Sequence, residues 1–294
     1  MANIITLLLR NQRRFPNRIW LILFLLTVGF TSGLQYAQAI TPQNLLPFEQ
    51  PASARPQTGK TAQQSAPQNA PPELKNLLTQ IDAAASIGDV KKVIEFYSPN
   101  FTHGDGLNRQ TLEKALIELW KRHPQLKYTT QLQSWKSEGN GIIAETVTNI
   151  TGLPSSNSNN LALNATIKSR QRVTGGKIVR QDILSERTLL TSGSKPPQVD
   201  VKLPQQVKVG QQYNFDAIVQ EPLGDDFILG TALEEPIQAD KYLNPTPVDL
   251  KLLTSGGIFK VGRAPSTPGS HWISAVILRG NGMTMVTQRL QVVK

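Results

Sequence analysis

His103 and Asp105 stand two residues apart in Phe101-Thr102-His103-Gly104-Asp105-Gly106. On an extended chain that spacing points both side chains to one side. A carboxylate accepting from an imidazole tunes it as an acid/base pair, so these two are the candidate catalytic residues. The same stretch also reads as an Asp105-Gly106 turn with His103 at the rim of the fold. Tyr97, Trp120, Trp135 and Glu145 are the candidate ligand-pocket residues. Their indoles could hold an apolar ligand, and the phenol and carboxylate could orient it. Tryptophans at these periodicities also serve as core. Lys168, Arg170 and Arg172 alternate, which puts all three on one sheet face, either solvated or binding an anion.

Composition removes several chemistries. With no Cys and three His in 294 residues, disulfides, thiolate-bound metal and thiol catalysis are excluded, and no metal or cofactor is expected. There is no G-x-S-x-G elbow, P-loop, H-E-x-x-H or dinucleotide fingerprint. The formal charge is +10, and four arginines of residues 1–39 supply +4 of it. The remaining cations do not cluster beside stacking aromatics, so no nucleic-acid partner is expected.

The elements that must position the candidates follow from periodicity. Leu74, Leu77, Leu78, Ile81, Ala84 and Ala85 predict a helix after Pro71-Pro72, ended by Gly88. Asp89 caps a second helix bearing Val90, Val93, Ile94 and Tyr97, stopped by Ser98-Pro99. Asn108 caps a third, with Leu112, Leu116, Leu119 and Trp120 on one stripe. Strands are predicted over 127–136, 142–151, 161–173 and 177–189, joined by turns at Gly139, at 155–160 and at Gly175-Gly176. Three helices followed by a meander predict an α+β cone over 73–190, its helices packed on a curved antiparallel sheet.

The stretch Gly88-Asp89-Val90-x-x-Val93-Ile94-x-x-Tyr97-Ser98-Pro99-Asn100-Phe101, followed by Asp105-Gly106 and a helix opening near Asn108, resembles the nuclear transport factor 2-like superfamily, which includes SnoaL-like cyclases and ketosteroid isomerases. The resemblance covers roughly residues 73–190. It implies a cone fold, a tendency to dimerise and, in the isomerase branch, a general base at Asp105. The tyrosine and strand acid of that branch fall on Ile81 and near Lys168, so its oxyanion-stabilising pair is missing and isomerase chemistry is disfavoured.

Residues 196–294 follow the linker Ser192–Pro197 and carry about seven strand-like pieces with turns at Gly224, Gly256 and Gly280. They predict an all-β immunoglobulin-like sandwich without a cysteine pair. At the other end, four arginines precede the apolar run Ile19–Leu26, and Ala37-Gln38-Ala39 follows. This is the pattern of a signal peptide or uncleaved anchor over 1–39, and residues 40–72, rich in Pro, Gln and Ala, read as a disordered tether. The expected protein is exported, periplasmic or otherwise extracytoplasmic, and touches membrane only through its N-terminal segment. It is a non-catalytic binding or interaction protein, with a small apolar ligand and a cell-envelope protein as candidate partners and homodimerisation through the sheet. The alternative is a SnoaL-like enzyme, an isomerase, cyclase or hydrolase using Asp105 and His103.

Overall fold

The computed structural model describes residue 67 and residues 69–154, 161–224, 226–244 and 246–294. The expected signal or anchor, almost all of the tether, the 155–160 turn and Asp225 lie outside these residues. Residues 65–294 form one compact unit.

Three helices form in the stretches the sequence marks, α1 (Pro72–Ser86), α2 (Val90–Glu95) and α3 (Arg109–Arg122), but Tyr97, expected on the second helix, lies past its end and opens a strand that runs through Ser98-Pro99. The caps of α2 and α3 are built as expected. The Asp89 side chain accepts from the Lys92 N–H, and Asn108 and Thr111 cap α3 reciprocally. Leu74, Leu77, Leu78, Ala84 and Ala85 give α1 a buried face.

Thirteen strands are described: β1 (Tyr97–His103), β2 (Leu126–Glu138), β3 (Gly141–Gly152), β4 (Ala162–Thr174), β5 (Lys177–Gly193), β6 (Val199–Lys202), β7 (Gln206–Lys208), β8 (Gln212–Val219), β9 (Ile228–Pro236), β10 (Lys251–Leu252), β11 (Gly257–Arg263), β12 (Gly269–Arg279) and β13 (Gly282–Val293). Ten belong to one sheet, ordered β10-β9-β12-β13-β5-β4-β3-β2, with β1 and β7 added as parallel partners of β5 and β13. The other three form a separate sheet, β11-β8-β6.

This overturns the expected cone followed by an immunoglobulin-like sandwich. The chain is dominated by strands, its three helices are short, and one large antiparallel sheet runs through both predicted modules. The physical cause is β5. Its pairing continues past the expected strand end at Leu189 through Thr191, Ser192 and Gly193, the last two read as linker, and there it takes β13 as its neighbour. Pairing with a segment about 90 residues downstream leaves no local signal in the sequence.

Strand alternation assigns the two cores to opposite faces of this sheet. Ala144, Ala165 and Leu163 face α1–α3, and Leu190, opposite Leu163, packs with them. Leu290 and Val292 of β13 lie on the other face and join Ile273, Ala275 and Ile277 of β12 under Phe215, Ala217 and Ile258 of the small sheet. On the helical side, α1 also closes the free edge of β2. Ser86 accepts the Tyr128 N–H at 2.9 Å, and Asp82 accepts the Thr130 N–H at 2.6 Å.

Candidate functional site

β5 changes partner midway. Its residues 178–181 pair with β1, and residues 187–193 pair with β13. Between them β5 bulges at Ile183–Ser185 against β4. At this switch the end of β1 and the end of β13 approach each other. Gln291 of β13 reaches across and donates to the Leu184 carbonyl at 2.8 Å.

Asp105 and His103 lie at this switch. Asp105 is gripped by Arg289 of β13 in a two-pronged ion pair, Nη1 to Oδ1 at 2.9 Å and Nη2 to Oδ2 at 2.8 Å. Arg289 Nη2 also donates to Glu186 Oε2 at 3.1 Å, and the Trp272 indole N–H donates to the same oxygen at 3.0 Å. Tyr242, from the loop between β9 and β10, donates its hydroxyl to Asp105 Oδ2 at 2.6 Å. Its ring meets the Trp272 ring edge-on at 4.9 Å. Register explains the convergence: Trp272 stands opposite Arg289 on one side and opposite Glu235 on the other. Glu186, Arg289, Trp272 and Glu235 therefore form a row across four strands.

The network is dry. Side-chain exposure is 1% for Arg289 and 7% for Asp105. Burial alone would raise the Asp105 carboxyl, but the Arg289 guanidinium, the Tyr242 hydroxyl and His103 together hold it below its ordinary value. Burial lowers the His103 imidazole, more than Asp105 raises it. His103 Nδ1 accepts the Asp105 backbone N–H at 3.1 Å, which requires the neutral ring with its proton on Nε2. Burial and the neighbouring Glu186 and Asp105 push the Tyr242 phenol upward. Arg289 Nε is buried and finds no partner among the described residues.

The structure thus brings the candidate pair together but commits it elsewhere. A general base needs access to its substrate and a pKa near the working pH. Asp105 is almost out of solvent, its oxygens accept from a guanidinium and a phenol, and these donors hold the carboxyl ionised. Chemically this is a clamp between β1 and β13.

The four pocket candidates do not converge: Tyr97, Trp120 and Trp135 belong to one apolar core, and Glu145 lies on the opposite face of the sheet. Tyr97 is buried in edge contact with Phe101, and burial pushes its phenol up to about 12. Trp120 is buried and donates to the Tyr128 hydroxyl at 3.0 Å. Trp135 packs against the same core. It stands opposite Ala144, so Glu145, the next residue along β3, faces away from it. Glu145 instead bonds Arg170 at 2.7 Å and lies 3.6 Å from Lys168. Two shallow crevices lie elsewhere. One, with room for about a single water, is lined by Tyr213, Phe215, Glu234, Lys260 and Ile273, and one with no such room by His123, Leu126, Leu153 and Leu161.

Sequence reasoning missed Arg289, Glu186, Tyr242 and Trp272. Arg289 sits in Met285-x-Thr287-x-Arg289-x-Gln291, which reads as the wet face of a strand. Only the arrival of Asp105 makes that face dry.

A domain of unknown function, DUF8623, matches residues 194–293. That segment holds Arg289, Trp272 and Tyr242 but neither acid they bind. No curated protein matches the chain. Solved structures similar to part of it include Bd1075 from Bdellovibrio bacteriovorus, at 15% identity and TM-score 0.31, covering 38% of each chain. AclR, a putative hydroxylase from Streptomyces galilaeus, is 18% identical with TM-score 0.30 over 38% of this chain and 73% of its own. A Catenulispora acidiphila protein with a ketosteroid isomerase-like fold, in complex with trimethylamine, is 12% identical with TM-score 0.28 over 36% of this chain and 82% of its own. This chain spans little more than a third of the length of Bd1075.

Proposed function

We propose that this chain is a non-catalytic interaction protein of the periplasm or another extracytoplasmic space, brought there by its arginine-flanked apolar N-terminal segment and contacting a cell-envelope partner through its surface. The observation that carries the non-catalytic part is the state of Asp105. This carboxylate lies beside His103, and both its oxygens are taken by Arg289 and Tyr242. The export part rests on the order of Arg10–Arg18, Ile19–Leu26 and Ala37-Gln38-Ala39.

The test uses the full chain with a C-terminal tag in a Gram-negative host. The protein is expected in the envelope or periplasmic fraction, and protease added to spheroplasts is expected to cut it. Cross-linking there is expected to give a defined protein adduct. Retention in the cytosol overturns the location. Turnover of a panel of epoxides and unsaturated ketones, lost in a folded Asp105→Asn variant, overturns the non-catalytic reading.

A further inference from the structure

Residues 73–294 carry 25 Lys and Arg against 20 Asp and Glu. The surplus has a location. Strand alternation places Lys127, Lys136, Lys168, Arg170, Arg172, Lys177, Arg180 and Arg187 on the face of β2–β5 turned away from the helices. Only three acids, Glu138, Glu145 and Asp182, share that face. Eight cations and three acids there leave 17 and 17 for the rest of the segment. One sheet face therefore holds the whole net charge of the folded chain.

The three acids do not neutralise it. Glu145 takes Arg170 and Lys168, Glu138 takes Arg172 and Lys136, and Asp182 takes Arg180. Five cations share three carboxylates, and Lys127, Lys177 and Arg187 are exposed with no ion pair among the described residues. The small sheet covers the same face over β9, β12 and β13, and stops short of this half. What remains is broad and carries isoleucine, valine and threonine between the charges. No aromatic side chain lies at its outward positions, so it has no platform on which nucleic-acid bases could stack.

We propose that this face of β2–β5 lies against the anionic headgroups of a lipid bilayer, as a second membrane contact beside the N-terminal segment. Opposite charge favours it: basic residues near an anionic leaflet each add to binding, and the attraction is lost beyond a Debye length. For its place in the cell the inference rests on the export reading; the binding itself is independent of it. The Pro-, Gln- and Ala-rich composition of residues 40–72, read from the sequence as a tether, is compatible with both contacts on one bilayer.

The experiment is co-sedimentation of the purified full-length chain with vesicles of phosphatidylcholine alone or mixed in equal parts with phosphatidylglycerol. The N-terminal segment, with its four arginines, contributes alike in every variant, so the readout is the change of the anionic-to-neutral ratio between variants. We expect the anionic vesicles to bind at least about tenfold more protein, and the ratio to approach one near 1 M salt, where screening acts over about 3 Å. The triple change Lys127→Glu, Lys177→Glu, Arg187→Glu is expected to lower the ratio at least about fivefold, leaving what the N-terminal arginines supply. Lys91→Glu, Lys114→Glu, Lys121→Glu makes the same charge change on exposed helical positions and is expected to preserve it. No anionic preference, equal loss in both triples, or tighter binding of a single-stranded oligonucleotide than of anionic vesicles overturns the proposal. Cell fractionation reads export separately, so either conclusion can fail without the other.

Discussion

Asp105 and Arg289 are 184 residues apart in sequence and meet in a nearly waterless setting. Taking away one member of such a pair leaves the other charge buried, which costs about 3–5 kcal/mol, more than the pair itself contributes. Arg289→Met is therefore expected to lower the urea midpoint strongly, and adding Asp105→Leu to recover part of the loss. An unchanged midpoint in the single variant would show that the clamp is not holding β1 to β13. The same residues set the response to acid. The Asp105 carboxyl is lower in the folded than in the unfolded chain, so its contribution is present above the ordinary carboxylate range and disappears as pH falls through the folded value. The His103 imidazole is also lower when folded, so below about pH 6.5 the unfolded chain gains a proton first and stability declines. Half-buried His123, lowered by its burial and by neighbouring Arg122, acts in the same sense. The urea midpoint is expected to fall between pH 7 and pH 5, and His103→Asn to flatten that slope in part. A slope indifferent to His103→Asn would contradict this assignment.

Gly193 ends β5 opposite Gly282 of β13, with φ +85. A methyl group there would lie 1.8 Å from the Asn281 carbonyl oxygen, inside the backbone of the next strand. Gly193→Ala is expected to cost more than the roughly 1–3 kcal/mol of a left-handed alanine, because the β5–β13 seam must also part. Gly175 has φ +57 in the β4–β5 turn but open space around it, so Gly175→Ala should cost only the conformational part, about 1–2 kcal/mol. Thermal unfolding of the two variants measures the difference, and equal losses would mean the seam is not tight. At this scale much was legible beforehand. The caps at Asp89 and Asn108 and the turn at Gly175-Gly176 depend on residues within a few positions of each other, and each lies where its chemistry requires. The end of β5 was not legible, because Thr191-Ser192-Gly193 has linker composition and becomes strand only when β13 offers its backbone.

Because β5 belongs to both halves of the large sheet, the helical layer and the small sheet share a frame. Residues 65–294 are expected to unfold in a single cooperative transition, with near-UV and far-UV circular dichroism losing signal together. Two well-separated transitions would mean that the β5–β13 pairing and the Asp105 clamp couple the halves too weakly to matter. The charge distribution is also a property of the whole. The trio Lys168, Arg170 and Arg172 was visible as one face of one strand, but the carboxylates of β2, β3 and β5 and the unpaired Lys127, Lys177 and Arg187 join it only through strand register.

The sequence by itself determined the local matters: the three helical and most of the extended stretches, the caps at Asp89 and Asn108, the turn at Gly175-Gly176, which residue types are missing and which chemistries that removes. These depend on neighbours in the chain, so composition and period are enough to reveal them. Tertiary structure alone decided that Asp105 is a clamp, that Glu145 turns away from the tryptophans and that one sheet replaces two modules. Each depends on a partner far away in the chain, and the drying or pairing that such a partner brings leaves no mark on the residues beside it.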